Sequence, residues 1–239
     1  MNRFVTNITE SKIKKNSNLK VDLGVALLCA GVGCRIKSYE PRSMIKVDNK
    51  MLLEHQIDQI RSCFSNPDII SVVGVESQRM IKRFSEKVRI VENQLYETTN
   101  SSESMRLAFN NTCKNKFLFM HGDLWFNLDT IKNLKYDKSF IIVDTKKQFD
   151  SKEVGVTIDK NNKATFFSYG LDTKWCQIAF LTGKEFKIAK SIFQKFEQHD
   201  KKMLSFEILN KMISCGAVFH CYEPKNMKII EIDRIKDIT

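Results

Sequence analysis

VALLCAGVGCRIKSYEPRSMIKV, residues Val25–Val47, decides how the rest of this chain is read. An apolar run, Val25 to Cys29, stops at a loop holding Gly31 and Gly33. Arg35 follows at once, then Pro41-Arg42, with Lys46 close behind. Such a strand delivers a glycine loop and fixed cations to one point. Glycine lets backbone N–H groups approach phosphate oxygens with no Cβ in the way, and arginine neutralises charge that bare amides cannot hold alone. The loop is not G-x-G-x-x-G, because position 36 is isoleucine, and no Gly-Lys-Ser/Thr follows. A phosphate site that is neither a dinucleotide fingerprint nor a Walker loop is the expectation.

Working outward, the chain alternates between two periodicities. Asp22–Cys29 reads as a strand. Leu52–Phe64 places Leu53, Gln56, Ile57 and Ile60 at helical spacing. Ile69–Val75 is a continuous β-branched run, as in a buried parallel strand. Ser77–Glu86 predicts a helix and Val88–Val91 a strand. A second helix is expected over Ser102–Asn111, capped by Ser101 or Ser102, and Lys116–Met120 is a strand ending in His121-Gly122-Asp123. This order predicts a doubly wound, mostly parallel α/β sheet with ligands beyond the carboxyl ends of its strands. From Phe140 the pattern changes to strands with short turns (140–144, 154–158, 164–167, 177–181). Two helices (185–198, 205–213) and two short strands (218–222, 229–232) follow. An antiparallel β insert on the same sheet is expected. Residues 1–20 carry no periodicity and read as a flexible leader before a single domain, 21–239, with a first half to about 135 and a second half from about 136.

Composition narrows the function classes. The chain has 239 residues, 42% apolar and 28% charged, ordinary for a globular protein. No apolar run approaches the roughly 18–20 residues of a membrane span, and the start is not a secretory signal, so a cytoplasmic protein is expected. Seven cysteines show no C-x-x-C pair, and the four histidines are scattered, which argues for reduced, mostly buried thiols rather than zinc. The net charge is +11, of which the first twenty residues contribute +4: five cations against Glu10. No dense basic stripe accompanies it, which argues against nucleic acid as the partner.

Two carboxylates sit at strand ends. Asp123 follows the Lys116 run, and Asp233 follows the apolar KIIEI segment. Such a pair can hold one Mg²⁺ together with substrate phosphates; each aspartate could equally cap a following helix.

Together these pieces resemble the sugar-nucleotidyltransferase superfamily. LLCAGVGCRIKSYEPRSMIKVDNKMLLEHQID is similar to its opening L-A-A-G-x-G-x-R loop, Pro-Lys pair and K-P-L-L-E helix start. FMHGDLWF resembles the strand bearing its first metal aspartate, and EIDRIKD its terminal E-I-D-T-x-x-D. The matches keep the family's order across residues 24–238. The resemblance implies a GT-A-like fold and transfer of a nucleoside monophosphate from an NTP to a phosphorylated acceptor, with release of pyrophosphate. It implies Asp123 and Asp233 as Mg²⁺ ligands and Ala30, Gly31, Val32, Gly33, Cys34 and Arg35 around the triphosphate, with Arg42 at the α-phosphate. Three departures stand out. Cys29 replaces alanine, and Arg42 stands where the family has lysine. The acceptor lysine after the insert hairpin has no clear counterpart, Tyr169 and Lys174 lying near its place.

NQLYETTNSSESMRLAF, residues 93–109, is similar to the Y-x-x-T-N-x-x-S-L-x-L-A segment of phosphocholine cytidylyltransferases. That branch implies CTP, with Asn100 and Ser104 at the base, and a phosphocholine-like acceptor; a capped helix start would account for the same residues. Trp125, Tyr169, Trp175 and Phe180 are candidate faces for an acceptor cation, with Tyr169, Lys174 and Trp175 as acceptor contacts. A sugar 1-phosphate for surface polysaccharide is the alternative acceptor. From other classes, an inactive nucleotide-binding relative and a basic nucleic-acid binder remain. His121 is expected to be structural, because an ionised acceptor phosphate needs no base.

Overall fold

The computed structural model describes residues 18–31, 41–146 and 152–232. In it the Val25 run forms the buried strand β1 (Leu23–Cys29). A hairpin follows, β2 (Lys46–Val47) and β3 (Lys50–Met51), turned by Asp48 and Asn49 at φ 49° and 64°, the paired left-handed residues of a tight hairpin. The alternating half continues as α1 (Leu52–Cys63), β4 (Asp68–Val73), α2 (Ser77–Phe84), β5 (Arg89–Glu92), α3 (Ser101–Asn111) and β6 (Lys116–His121). Then come β7 (Leu124–Phe126), α4 (Asp129–Lys132), β8 (Phe140–Asp144), β9 (Val154–Ile158), β10 (Ala164–Tyr169) and β11 (Thr173–Leu181). The last elements are α5 (Gly183–Gln194), α6 (Ser205–Ser214), β12 (His220–Tyr222) and β13 (Ile229–Glu231).

One nine-stranded sheet runs β10-β9-β11-β6-β1-β4-β5, with β8 on the other edge of β11 and β12 beyond it. It is parallel where β6, β1, β4 and β5 meet and antiparallel through β11, β9 and β10. Strand alternation sorts the core by face. Ala26, Leu28, Phe117 and Phe119 pack against Met105, Phe109, Phe193 and Leu209 from α3, α5 and α6. Val25, Leu27, Leu118 and Met120 pack against Leu53, Ile57, Met80 and Phe84 from α1 and α2. Helices thus cover both faces, as the doubly wound expectation requires.

Three features depart from the sequence reading. Residues 124–126 are not the lead-in to a capped helix. They form β7, which pairs antiparallel with β13 in a two-stranded ribbon off the main sheet. Asn100, not Ser101 or Ser102, caps α3, accepting from the Ser101 N–H at 2.9 Å. At the other end, residues 1–17 lie outside the described residues, while Leu19 already bridges to Phe64, its N–H donating to the Cys63 carbonyl at 2.8 Å.

Candidate active site

β1 and β6 run side by side in parallel, Leu28 opposite His121, and both end at the same place. There the Gly122 N–H donates to the Leu28 carbonyl at 3.0 Å, turning the chain tightly past β1. Gln56, fully buried on α1, fixes this turn from beneath: its Nε2 donates to the carbonyls of His121 (2.9 Å) and Leu124 (2.8 Å). Between these two anchored carbonyls Asp123 projects into a cleft of about 890 Å³.

Asp123 meets Arg42 there. Arg42 opens a short 3₁₀ turn, Arg42–Met44, and its Nη1 donates to Asp123 Oδ2 at 2.7 Å. The other carboxylate oxygen, Oδ1, is buried with no hydrogen-bond partner among the described residues. A buried, unpartnered carboxylate oxygen at a cleft is costly unless something else completes its shell, and a cation does so. The donor set is hard oxygen, which suits Mg²⁺. Among the described residues no three His, Cys, Asp or Glu side chains cluster at metal-binding spacing.

The terminal ribbon comes to the same point. β13 pairs with β7 as far as Glu231 opposite Leu124, and the Ile232 N–H donates to the Asp123 carbonyl at 2.8 Å.

The first turn of α3 forms one wall of the cleft. Its amides are already taken: Ser101 N–H by Asn100 Oδ1, Ser102 N–H by the Met203 carbonyl, and Glu103 N–H by the Asn100 carbonyl. Asn93, buried, braces the loop before it by donating to Thr99 Oγ1 at 3.0 Å and accepting from the Leu95 N–H. Beside this wall stands the start of α6, joined to α3 where the Ser205 N–H donates to Ser101 Oγ. His121 Nε2 lies 2.8 Å from Ser205 Oγ, its ring edge-on to Trp175. Burial holds the His121 pKa below its ordinary value, with nearby Asp123 opposing and Arg42 adding to that shift.

Of the sequence candidates, Ala30, Gly31, Arg42, Asn100, Ser104, Asp123, Tyr169 and Trp175 all line this cleft. Val32, Gly33, Cys34, Arg35 and Asp233 lie outside the described residues. Lys174 does not line the cleft: alternation turns it away from Trp175, and its ammonium pairs with Glu153 Oε1. Lys152 lines the cleft instead. Trp175 shows only an edge, being 1% exposed with its indole N–H on the Ile178 carbonyl. Trp125 stacks on His55, and Phe180 is sealed against Phe140 and Tyr136; neither lines the cleft. Phe206, packed edge-on against Tyr169, lines it instead. Ser43, Asn93, Gln177, Ser205 and Glu231 also line it, and sequence reasoning missed them. Gln56 left the one clear signal, a polar residue on an otherwise apolar helix face.

Residues 25–147, just over half of the chain, match the MobA-like NTP transferase domain. The chain belongs to that family and is a nucleotidyltransferase. The transferase shares its fold with several solved structures. The inositol-1-phosphate CTP transferase from T. maritima superposes with a TM-score of 0.73 at 16% identity, covering 92% of both chains. CTP:phosphocholine cytidylyltransferase from Streptococcus pneumoniae gives 0.71 at 20% identity, over 90% of this chain and 95% of that one. The nucleoside-diphosphate-sugar pyrophosphorylase from Vibrio cholerae gives 0.66 at 12% identity, over 90% and 97%. Among curated proteins, no sequence matches the transferase. No helix among its described residues is long and apolar enough to cross a membrane.

Proposed function

We propose that this transferase moves CMP from CTP to a small phosphorylated alcohol of the phosphocholine type, releasing pyrophosphate, with Mg²⁺ held by Asp123 and Asp233. The Ile232 N–H bond to the Asp123 carbonyl carries the reading. Asp233 follows Ile232 by one peptide, a Cα–Cα step of about 3.8 Å, so the chain that bears it reaches Asp123. The unpartnered Asp123 Oδ1 is the atom that a cation would complete.

In the reaction an oxygen of the acceptor phosphate attacks the α-phosphorus. The bond from that phosphorus to the bridging oxygen of pyrophosphate breaks, and the electron pair leaves with pyrophosphate. The acceptor is ionised at neutral pH, so His121 is not required as a base. Its lowered pKa keeps it neutral beside Ser205. Asp123 and Asp233 would hold the ion, which would neutralise phosphate charge. Arg42, locked to Asp123 Oδ2, points its guanidinium where the α-phosphate charge builds. Backbone amides from Ala30 through Arg35, together with the Arg35 side chain, take the outer phosphates. Ser104 Oγ and the Asn100 Nδ2 donor face the base; Asn100 Oδ1 is already spent on its helix cap.

Tyr169 and Phe206 meet edge-on in the same cleft, whose lining also carries Glu153 and Glu231. Aromatic faces with carboxylates favour an acceptor carrying a cation, which supports the alcohol phosphate over a sugar 1-phosphate. Lys152, which also lines the cleft, serves the acceptor phosphate in this reading.

The test is pyrophosphate release with Mg²⁺, each NTP in turn, and a panel of phosphocholine, phosphoethanolamine and hexose 1-phosphates. Release with CTP and an amino-alcohol phosphate, abolished by Asp123→Asn and by Asp233→Asn, is the expected result. Release only with a hexose 1-phosphate would move the acceptor to the sugar class. Release that survives both variants would sink the carboxylate assignment.

A further inference from the structure

We propose that Gln177 is a positioning residue: it ties the terminal ribbon to the main sheet and so seats Ile232, through its backbone bond, on the metal-binding Asp123. The inference rests on the reading of Asp123 and Asp233 given above. Gln177 lies inside β11 at φ 57°, left-handed backbone that glycine takes freely and other residues rarely do. Its place in the sheet explains the conformation. β11 pairs with β9 up to Lys174 opposite Gly155, and on the same edge takes β6 from Ile178 opposite Met120. Across the other edge, Trp175 faces Val143 and Ala179 faces Ile141, so β11 spends two more residues than β8 over this interval. Gln177 sits in that bulge, where β11 exchanges one neighbour for another beside the cleft.

From there its Nε2 donates to Glu231 Oε2. Glu231 belongs to β13, whose strand partner is β7 and not the main sheet. The bond therefore joins the main sheet to the ribbon one residue before Ile232 reaches Asp123. A bulge of this kind needs only glycine. Asparagine, the usual non-glycine resident of left-handed backbone, is one methylene too short to reach as far. Glutamine at a strained position, bonded across two sheets, is what a positioning demand selects.

Gln177→Gly and Gln177→Asn test this. Glycine relieves the strain while removing the tie, so stability and function should move apart. The melting temperature is expected to be no lower than the parent's. Hydrogen exchange in the peptide covering residues 229–232 should be faster. The Mg²⁺ concentration for half-maximal pyrophosphate release, and the Mg²⁺ affinity of the CTP-saturated protein by calorimetry, should weaken about 10- to 100-fold, the usual cost of losing an outer-shell partner. Gln177→Asn should shift all three functional readouts in the same direction. Unchanged exchange and unchanged Mg²⁺ dependence would overturn the proposal. So would a loss of activity that is the same at every Mg²⁺ concentration and follows a lowered melting temperature. A parent without Mg²⁺-dependent transfer would end the reading of the carboxylates instead, and the exchange comparison would still decide whether Gln177 holds the ribbon.

Discussion

An alanine at position 122 would place its Cβ 2.5 Å from Cys29 Sγ and 3.0 Å from the Leu28 carbonyl oxygen. The turn that aims Asp123 thus depends on the missing side chain, because β1 and β6 approach too closely for any other. Gly122→Ala should lower stability by about 1–3 kcal/mol, the usual cost of overpacking, read from urea midpoints, and should cut turnover more than its stability loss explains. Arg42 makes a second demand. Its planar guanidinium holds Asp123 Oδ2 in a directed geometry that an ammonium does not reproduce. Arg42→Lys should therefore fold normally and lose about tenfold or more in kcat/KM, a loss of at least ~1.4 kcal/mol of transition-state stabilisation. Equal rates in initial-velocity assays would mean that charge alone matters there. At this scale the sequence was informative for Ala30, Gly31, Arg42 and Asp123, which the fold brings to one cleft. It was silent on Gln177, because nothing local announces a bulge; it placed a helix start at Ser205 but not that this start faces a cleft formed by distant strands.

Strand and helix identity was legible from periodicity, since the buried runs in β1, β4, β6 and β8 contain little but apolar residues. β7 escaped because a three-residue strand has no period to read, and its partner β13 lies more than a hundred residues away. The pairing of α3 with the start of α6 escaped for the same reason, although it shapes the cleft wall. It centres on Asp200, 1% exposed, whose carbonyl accepts from Ser102 Oγ and whose carboxylate accepts from Lys211 Nζ (2.7 Å) and the Glu197 N–H (3.0 Å). Burial alone would raise the Asp200 pKa. The hydrogen bonds from Lys211 and Glu197, with the Lys211 and His199 charges, outweigh it and leave the pKa lowered. Because the folded value is depressed, this group's stabilisation is present above the ordinary value of 3.8 and is lost as pH falls through the lower folded one. Asp200→Asn should destabilise the protein at pH 7 by about 1.5–3 kcal/mol, the range for hydrogen bonds to a charged group. That difference should shrink in urea titrations taken below pH 4. A gap that stayed constant with pH would show that the carboxylate charge contributes nothing.

The whole molecule carries two opposed demands, a net charge of +11 and a cleft whose described lining includes Asp123, Glu153 and Glu231. Buried thiols show how the two-faced core limits its working range. Burial raises the pKa of Cys29 to about 11 and those of Cys63 and Cys221 to about 12. Raised acids contribute stability that is complete below their ordinary value near 9 and drains as pH climbs through the folded values. The melting temperature should accordingly hold up to about pH 9 and fall steeply between 9 and 12; a flat profile there would contradict the burial of these thiols.

Charge sets the remaining expectation. If the basic excess served nucleic acid, affinity would fall with salt at a slope near the number of phosphates contacted. A triphosphate seated in a cleft instead pits a few fixed cations against a compact ligand, and its binding should show only a shallow slope. At about 100 times its dissociation constant a ligand adds about 2.7 kcal/mol to the folded state. For a domain of this size that is a rise of about 5–10 °C in melting temperature. CTP with Mg²⁺ should produce such a rise, more than the other three nucleotides, and Asp123→Asn should remove the metal-dependent part. Single-stranded RNA with no size or base preference should add nothing at 150 mM salt. A larger shift from RNA than from any nucleotide, collapsing steeply with added salt, would reassign the positive charge and leave the cleft without its triphosphate.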